Sequence, residues 1–131
     1  MASIHREIVI DVPPEMVWDA ARDIGALHTR LVPGFVVDTK VEDGARIVTF
    51  GNGMVVRELI IDVDDASRRI AWAAVGTTMT HYSASFQVFA ENGRTSGVWI
   101  ADLLPNDAAP SVTEMIEKGL AAMKRAMEGR T

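Results

Sequence analysis

Three short turn signals divide the middle of the chain and constrain its fold more than any other feature. Asp43-Gly44, Asn52-Gly53 and Asn92-Gly93 each lie between runs rich in apolar and β-branched residues. Aspartate, asparagine and glycine tolerate the positive φ angles of tight primed hairpin turns, so each pair is expected to join two antiparallel neighbours. The region from residue 35 to residue 105 therefore predicts one antiparallel meander.

Six strands are predicted in this region, with residues 64–68 and 76–80 as the longer connections. Their predicted bounds are 35–41, 45–50, 54–63, 69–75, 81–90 and 96–104. An earlier strand is predicted over residues 4–12, and it ends at Pro13-Pro14 because proline cannot donate to a β-ladder. The chain thus contains seven predicted strands.

A helical elbow is predicted between the first strand and the meander. Pro14 suits the first turn of a helix, and apolar residues then recur at helical spacing as far as Ile24. Gly25 interrupts this helix, and residues 26–30 form one more turn before Val32-Pro33-Gly34 ends the helical region. Two short helices therefore follow the first strand.

The longest helix is predicted after Pro105. Ser111 and Glu114 fit a capping box, which places the start of the helix at Ser111. Behind them runs one apolar stripe at helical spacing, made of Val112, Met115, Ile116, Gly119, Leu120, Met123 and Met127. A seven-stranded antiparallel sheet needs one face covered, and this helix is the only large element available to cover it. The fold class is therefore α+β.

A cavity is predicted between the sheet and this helix. A strongly twisted sheet curls, and one straight helix cannot fill the whole concave side. Small residues on elements expected to face one another would leave room there: Ala71, Ala73, Ala74, Gly76, Ser83, Ala84, Ser85, Gly97, Ala101, Gly119, Ala121 and Ala122. The alternative is that they allow close helix-to-sheet packing with no void.

Length and composition exclude several classes of protein. The 131 residues suit a single domain, and 13 basic against 18 acidic side chains give a net charge of -5. This charge argues against nucleic acid and anionic membranes as partners, and no segment predicts a membrane span or a signal peptide. A cytoplasmic location is expected. Cysteine is absent and the three histidines lie in different elements, so no metal site and no cofactor are predicted.

Four stretches of the chain, in this order of elements, resemble the SRPBCC superfamily, and most closely its small bacterial polyketide cyclase/dehydrase-like group. They are Pro13-Pro14-Glu15-x-Val17-Trp18-Asp19, Val55-Val56-Arg57-Glu58-Leu59, Asp64-Asp65-x-x-Arg68-Arg69-Ile70-x-Trp72, and Trp99 followed by Pro105. The resemblance covers essentially the whole chain. It implies a START-like helix-grip fold, with a deep apolar cavity that opens near the elbow and the strand-joining loops.

Two titratable residues are candidate acid or base groups. Arg57 and Glu58 are adjacent on one strand and must face opposite sides of the sheet. A buried carboxylate would need a partner, which Arg46 or Arg69 on a neighbouring strand could supply. The resemblance favours Glu58 as the inward residue. A salt bridge with only structural meaning is the alternative. The resemblance also places His28 at the mouth of the cavity, where imidazole suits proton transfer, although a solvated surface histidine is the simpler interpretation.

Aromatic and methionine side chains complete the predicted ligand site. Trp72 and Trp99 can stack on a flat ring or fill core, and Met115 and Met123 are flexible, polarizable lining. Tyr82 and His81 are neighbours on one strand, so only one of them faces the cavity. No standard catalytic motif is present.

The leading hypothesis is a monomeric or dimeric protein that binds a small hydrophobic molecule, aromatic, polyketide-like or lipid, with Glu58, His28 and Tyr82 as polar anchors. One alternative is a cyclase or dehydratase that uses Glu58 or His28 as acid or base. Another is a protein-interaction module, which a collapsed cavity and a large exposed apolar patch would favour.

Overall fold

Seven strands form one antiparallel sheet in the computed structural model, which describes residues 1–129. The strands are β1 (Ala2–Ile10), β2 (Val36–Glu42), β3 (Ala45–Phe50), β4 (Val55–Asp64), β5 (Arg69–Val75), β6 (His81–Glu91) and β7 (Arg94–Leu104). Their spatial order is β1-β7-β6-β5-β4-β3-β2. The predicted six-strand meander is therefore confirmed, and β1 pairs with β7 to form one edge of the sheet. The last two residues of the predicted domain, Arg130 and Thr131, lie outside the described residues.

The three predicted turns differ in backbone geometry. At Asn92-Gly93 both residues have positive φ, 53° and 81°, as a primed two-residue turn requires. At Asp43-Gly44 only the glycine has positive φ. At Asn52-Gly53 the glycine again has the positive φ, in a longer loop where the Met54 N–H donates to Asn52 Oδ1. The prediction of primed turns is thus wrong at the first two sites, because one glycine already supplies the positive φ that these connections need.

The helical elbow is confirmed, and its second part is unusual. Helix α1 spans Pro14–Ala21, and a π-helical turn spans Leu27–Leu31. Leu27 and Leu31 are both buried. The elbow therefore contributes apolar side chains to the same side of the sheet as the C-terminal helix.

Helix α2 spans Ala109–Glu128 and follows a 3-10 turn at Asn106–Ala108. The predicted capping box is wrong, because the helix begins two residues before Ser111 and no side chain caps it. Pro110 lies in the first turn instead, where its missing N–H costs no helical hydrogen bond. The apolar stripe is confirmed: Ile116, Met123 and Met127 are fully or almost fully buried.

The small residues predicted to leave room divide between the two faces of the sheet. Ala74 faces α2 and lines the space beneath it. Ala71, Ser83 and Ser85 line a depression on the opposite, outer face. The prediction that they all face the helix is wrong, because alternation along a strand sends successive side chains to opposite faces.

The two family-like stretches around Trp18 and Asp65 contact each other. The Trp18 indole Nε1 donates to Asp65 Oδ1 at 2.9 Å, and Arg22 Nε donates to the same oxygen at 2.8 Å. These bonds hold the pKa of the Asp65 carboxyl below its ordinary value, since both stabilise the carboxylate. They tie α1 to the β4–β5 connection and so position the elbow against the sheet.

Within residues 1–129, no helix combines the length and the apolar character needed to cross a bilayer.

Candidate functional site

A cavity of about 720 Å³ lies between α2 and the inner face of the sheet. Among the strands, helix α2 contacts chiefly β1, at one edge of the sheet. The space over the strands toward the opposite edge therefore stays open. The predicted cavity is therefore present. Its buried apolar lining comes from the helical elbow, strands β2 to β7 and α2: Ala21, Leu27, Leu31, Val32, Val36, Val48, Phe50, Val56, Ile70, Trp72, Phe86, Trp99, Val112 and Met123.

The mouth of the cavity lies at the loops that join the strands. Asn52, Met54, Val55 and Thr78 line the cavity and are also exposed to solvent. Ser111, on the first turn of α2, lines the same opening. The cavity therefore opens to solvent between the β3–β4 loop, the β5–β6 loop and the start of α2.

Arg46 and Glu58 form a buried ion pair in the cavity wall. They occupy directly opposed positions on β3 and β4, and Arg46 Nε donates to Glu58 Oε1 at 2.9 Å. Both residues are buried and line the cavity. The preference for Glu58 as the inward residue is confirmed, and its partner is Arg46 rather than Arg69.

Burial raises the pKa of the Glu58 carboxyl, because the apolar surroundings penalise its charged form more than Arg46 stabilises it. Arg46 also donates from Nη1 to the Ile24 carbonyl oxygen at 3.3 Å. Its guanidinium carbon lies 5.6 Å from the centre of the Trp72 ring, within the range of a cation–π interaction. Arg46 therefore joins the elbow, the sheet and the aromatic wall.

Two tryptophans form the aromatic part of the wall. Trp72 on β5 and Trp99 on β7 meet edge to face, with ring centroids 5.8 Å apart and an interplanar angle of 69°. Gly119 on α2 permits this arrangement, since a Cβ there would stand 2.9 Å from Trp99 Cζ3. The glycine lets the helix approach the indole closely.

Tyr82 and Trp99 place two unpartnered polar atoms beside the ion pair. Tyr82 faces the cavity, and its neighbour His81 is exposed on the other side of the strand. Among the described residues, the Tyr82 hydroxyl and the Trp99 Nε1 are the buried side-chain polar atoms without a hydrogen-bond partner. The indole lies near enough to stabilise the phenolate slightly, but the two groups do not reach hydrogen-bond geometry.

The environment of Tyr82 keeps its phenol protonated. Burial raises its pKa, and the nearby Glu58 carboxylate raises it further. The hydroxyl is therefore a hydrogen-bond donor at neutral pH. We refer to Arg46, Glu58, Tyr82 and Trp99 as the polar cluster.

The structure brings together most of the predicted site residues. Glu58, Trp72, Tyr82, Trp99, Met115 and Met123 all line the cavity. His28 does not: its Nδ1 lies 3.2 Å from the hydroxyl of Thr39 on β2. The π-helical turn directs Leu27 and Leu31 to the cavity and leaves His28 beside β2, so the placement of His28 at the cavity mouth is wrong.

Sequence reasoning treated Arg46 as a partner for Glu58 and missed its place in the cavity wall. Alternation along β3 would have placed it there, since Arg46, Val48 and Phe50 share one face of the strand. No local pattern indicates that the Trp99 N–H lacks a partner, because hydrogen-bond satisfaction depends on neighbours from other elements.

A second depression, about 940 Å³, lies on the outer face of the sheet. Its lining mixes charged and small polar side chains, such as Glu7, Asp62 and Ser85, with apolar ones such as Ile61 and Phe89. The cavity under α2 is the better candidate site, because its walls are apolar and its few polar groups converge. Within residues 1–129, histidine, aspartate and glutamate form no group of three that could hold a metal ion.

Comparison with known families and structures agrees with this architecture. The model of a family described as "Polyketide cyclase / dehydrase and lipid transport" matches residues 1–128. No curated protein matches the chain. An uncharacterised protein from Bacillus thuringiensis superimposes with a TM-score of 0.85 at 18% identity, over 96% of this chain and 98% of that one.

Two structures of named enzymes share the fold. The Zhui aromatase/cyclase from Streptomyces sp. R1128 has a TM-score of 0.70 at 18% identity, covering 98% of this chain and 92% of that one. A point mutant of norcoclaurine synthase from Thalictrum flavum, solved with a transition-state analogue, has a TM-score of 0.69 at 20% identity, with the same coverage. At these identities the similarity establishes the helix-grip fold.

Proposed function

Because the chain belongs to the polyketide cyclase/dehydrase and lipid-transport family, we propose that it binds a small hydrophobic molecule in the cavity under α2. The observation that carries this proposal is the cavity itself, with its volume of about 720 Å³ and its apolar walls. Known ligand pockets occupy roughly 300–1,000 Å³ and combine apolar lining with a few polar groups that fix orientation. The polar cluster supplies such groups here.

Binding is favourable because a ligand removes apolar wall and apolar ligand surface from water, at roughly 25 cal/mol per Å². The flexible Met115 and Met123 suit ligands of irregular shape, and the aromatic rings of Trp72 and Trp99 suit flat ligands. Aromatic and polyketide-like molecules are therefore the proposed ligands, with lipids as a further class to be tested.

The direct test measures the melting temperature of the protein with flavonoids, fatty acids and aromatic acids. A ligand at about 100 times its Kd stabilises the folded state by about 2.7 kcal/mol, which raises the melting temperature of a domain of this size by on the order of 10 °C. Tryptophan fluorescence gives a second readout, because Trp72 and Trp99 line the cavity.

A matched pair of variants localises the binding. Ala74→Phe places a ring inside the cavity, whereas Ala73→Phe on the same strand faces the outer side of the sheet. Binding is expected to fail in the first variant and to persist in the second. The proposal is wrong if no member of the panel shifts the melting temperature of the folded wild-type protein, or if both variants bind equally well.

A second candidate function is acid–base catalysis by Glu58, which its burial and raised pKa favour. In this role the carboxylate would accept a proton from the carbon next to a bound carbonyl, exchange it with solvent and return a solvent-derived proton to the enolate carbon. NMR in D2O would detect this exchange on a bound aryl methyl ketone, and Glu58→Gln should abolish it. If wild type and Glu58→Gln exchange at the same rate, this role is excluded. The cavity is open, so the premise of a protein-interaction module, a collapsed cavity, is not met.

A further inference from the structure

The Tyr82 hydroxyl and the Trp99 indole N–H are a pair of buried donors with no acceptor. Both residues are more than nine-tenths buried and both line the cavity. A buried polar group without a partner destabilises a fold by about 1–3 kcal/mol. Two such groups beside one another on a cavity wall therefore point to an acceptor that arrives with the ligand.

The chemistry of the two donors restricts that acceptor. An indole N–H can act only as a hydrogen-bond donor. A phenol hydroxyl can donate its hydrogen whether or not its oxygen accepts a bond. A carbonyl oxygen has two lone pairs and can accept from both groups at once. A hydrocarbon of the same shape offers no acceptor to either donor.

The charges around the cavity restrict the acceptor further. Arg46 and Glu58 are the charged side chains of the lining, and Arg46 is already bonded to Glu58. Within residues 1–129, the cavity lining therefore offers no uncompensated positive charge to an anion. The Glu58 carboxylate also acts electrostatically on the Tyr82 hydroxyl, so it would repel a negative group bound there.

We propose that the Tyr82 hydroxyl and the Trp99 N–H donate to one uncharged carbonyl oxygen of the ligand, so that the cavity selects ketones, aldehydes and esters over carboxylates of the same shape. This selectivity rests on the proposed function, because it describes how a ligand is held in the same cavity. It assigns Glu58 an excluding role toward anions, in addition to its bond with Arg46.

Isothermal titration calorimetry of three matched ligands tests the selectivity: 2-acetylnaphthalene, 2-naphthoate and 2-ethylnaphthalene at pH 7.5. The ketone is expected to bind at least tenfold more tightly than the carboxylate, and more tightly than the hydrocarbon. Tyr82→Phe should weaken ketone binding roughly three- to tenfold, the equivalent of one net hydrogen bond, and leave the affinity for the hydrocarbon unchanged.

Tyr82→Phe removes a buried hydroxyl without a partner, so the variant should fold with a melting temperature equal to or above that of the wild-type protein. Infrared spectroscopy provides a readout that a merely structural role would not change. The carbonyl stretch of carbon-13-labelled 2-acetylnaphthalene should shift to lower frequency in the wild-type complex, and less so in Tyr82→Phe and in Trp99→Phe.

The outcomes separate the two proposals. Equal binding of ketone and carboxylate, or unchanged ketone affinity and carbonyl frequency in Tyr82→Phe, would overturn the selectivity and leave hydrophobic binding intact. If neither the three naphthalenes nor the wider ligand panel bind, the proposed function is wrong and the selectivity with it.

Discussion

Removing Glu58 is expected to destabilise the fold strongly and at every pH near neutrality. Its side chain and that of Arg46 are only 9% and 3% exposed, and the bonded atoms lie 2.9 Å apart. Breaking a buried ion pair by removing one partner costs about 3–5 kcal/mol, because it leaves an uncompensated charge. Arginine cannot lose its proton, so Glu58→Leu should show this loss throughout the range from about pH 5 to 8. The remaining bond to the Ile24 carbonyl favours the lower end of the estimate.

Removing Arg46 is expected to have a cost that depends on pH. Glu58 can escape its unpaired charge by binding a proton, and Arg46 is the group that lowers the pKa of this carboxyl. In Arg46→Met the pKa should therefore rise further above the ordinary value of 4.5. A raised folded-state pKa gives stability that is complete below the unfolded-state pKa and is lost as pH rises, by about 1.4 kcal/mol per pH unit. Between pH 5 and pH 7, the free energy of unfolding of Arg46→Met should fall by up to about 2.7 kcal/mol, which is more than the fall for wild type over the same interval.

Urea unfolding followed by circular dichroism at pH 5, 6 and 7 measures these free energies. The free energy of unfolding of the double variant Arg46→Met/Glu58→Leu should lie within about 1 kcal/mol of the wild-type value or above it. Apolar residues often replace a buried ion pair without loss of stability. Arg57→Met is the control: Arg57 pairs with Glu42 at 3.5 Å on the exposed side, and its loss should cost less than about 1 kcal/mol. A flat pH profile for Arg46→Met, or a cost below about 1 kcal/mol for Glu58→Leu, would refute the reasoning.

Two further predictions concern α2 and the elbow. Gly119→Ala should destabilise the protein by about 1–2 kcal/mol in urea unfolding, because the new Cβ would stand 2.9 Å from Trp99 and the better helix propensity of alanine offsets only part of the overpacking; a gain in stability would contradict this packing. Asp65→Asn should be less stable than wild type at pH 7, and its stability should fall less as the solution is acidified. The reason is that a lowered carboxyl pKa gives stability that is present above the ordinary value of 3.8 and is lost as pH falls through the folded-state pKa. Thermal unfolding from pH 7 to pH 2.5 tests this, and equal acid sensitivity of the two proteins would show that the bonds of Asp65 to Arg22 and Trp18 contribute nothing.

The strands were predictable because their signals are local. Turn residues and β-branched runs act within a few positions, and every predicted strand boundary lies within two residues of the observed one. The start of α2 was not predicted, because Ser111 and Glu114 match a capping pattern but the 3-10 turn before Ala109 already leads the chain into the helix. Helix ends depend on how the preceding segment packs, which the pattern does not contain.

The site was predictable only in part. Alternation required Arg57 and Glu58 to face opposite sides but did not determine which side α2 covers. The resemblance favoured Glu58, and the position of the helix over β1 and the cavity confirmed it. His28 was placed at the mouth by the resemblance, whereas the π-helical turn leaves it beside Thr39.

The sequence by itself determined the number and order of the strands, the two helical regions and the existence of one apolar face, because turn chemistry and side-chain periodicity are properties of short segments. Only the tertiary structure decided which polar groups meet in the cavity. Arg46, Glu58, Tyr82 and Trp99 come from four different strands, and whether a buried N–H or hydroxyl finds a partner depends on distances that close only when those strands pair.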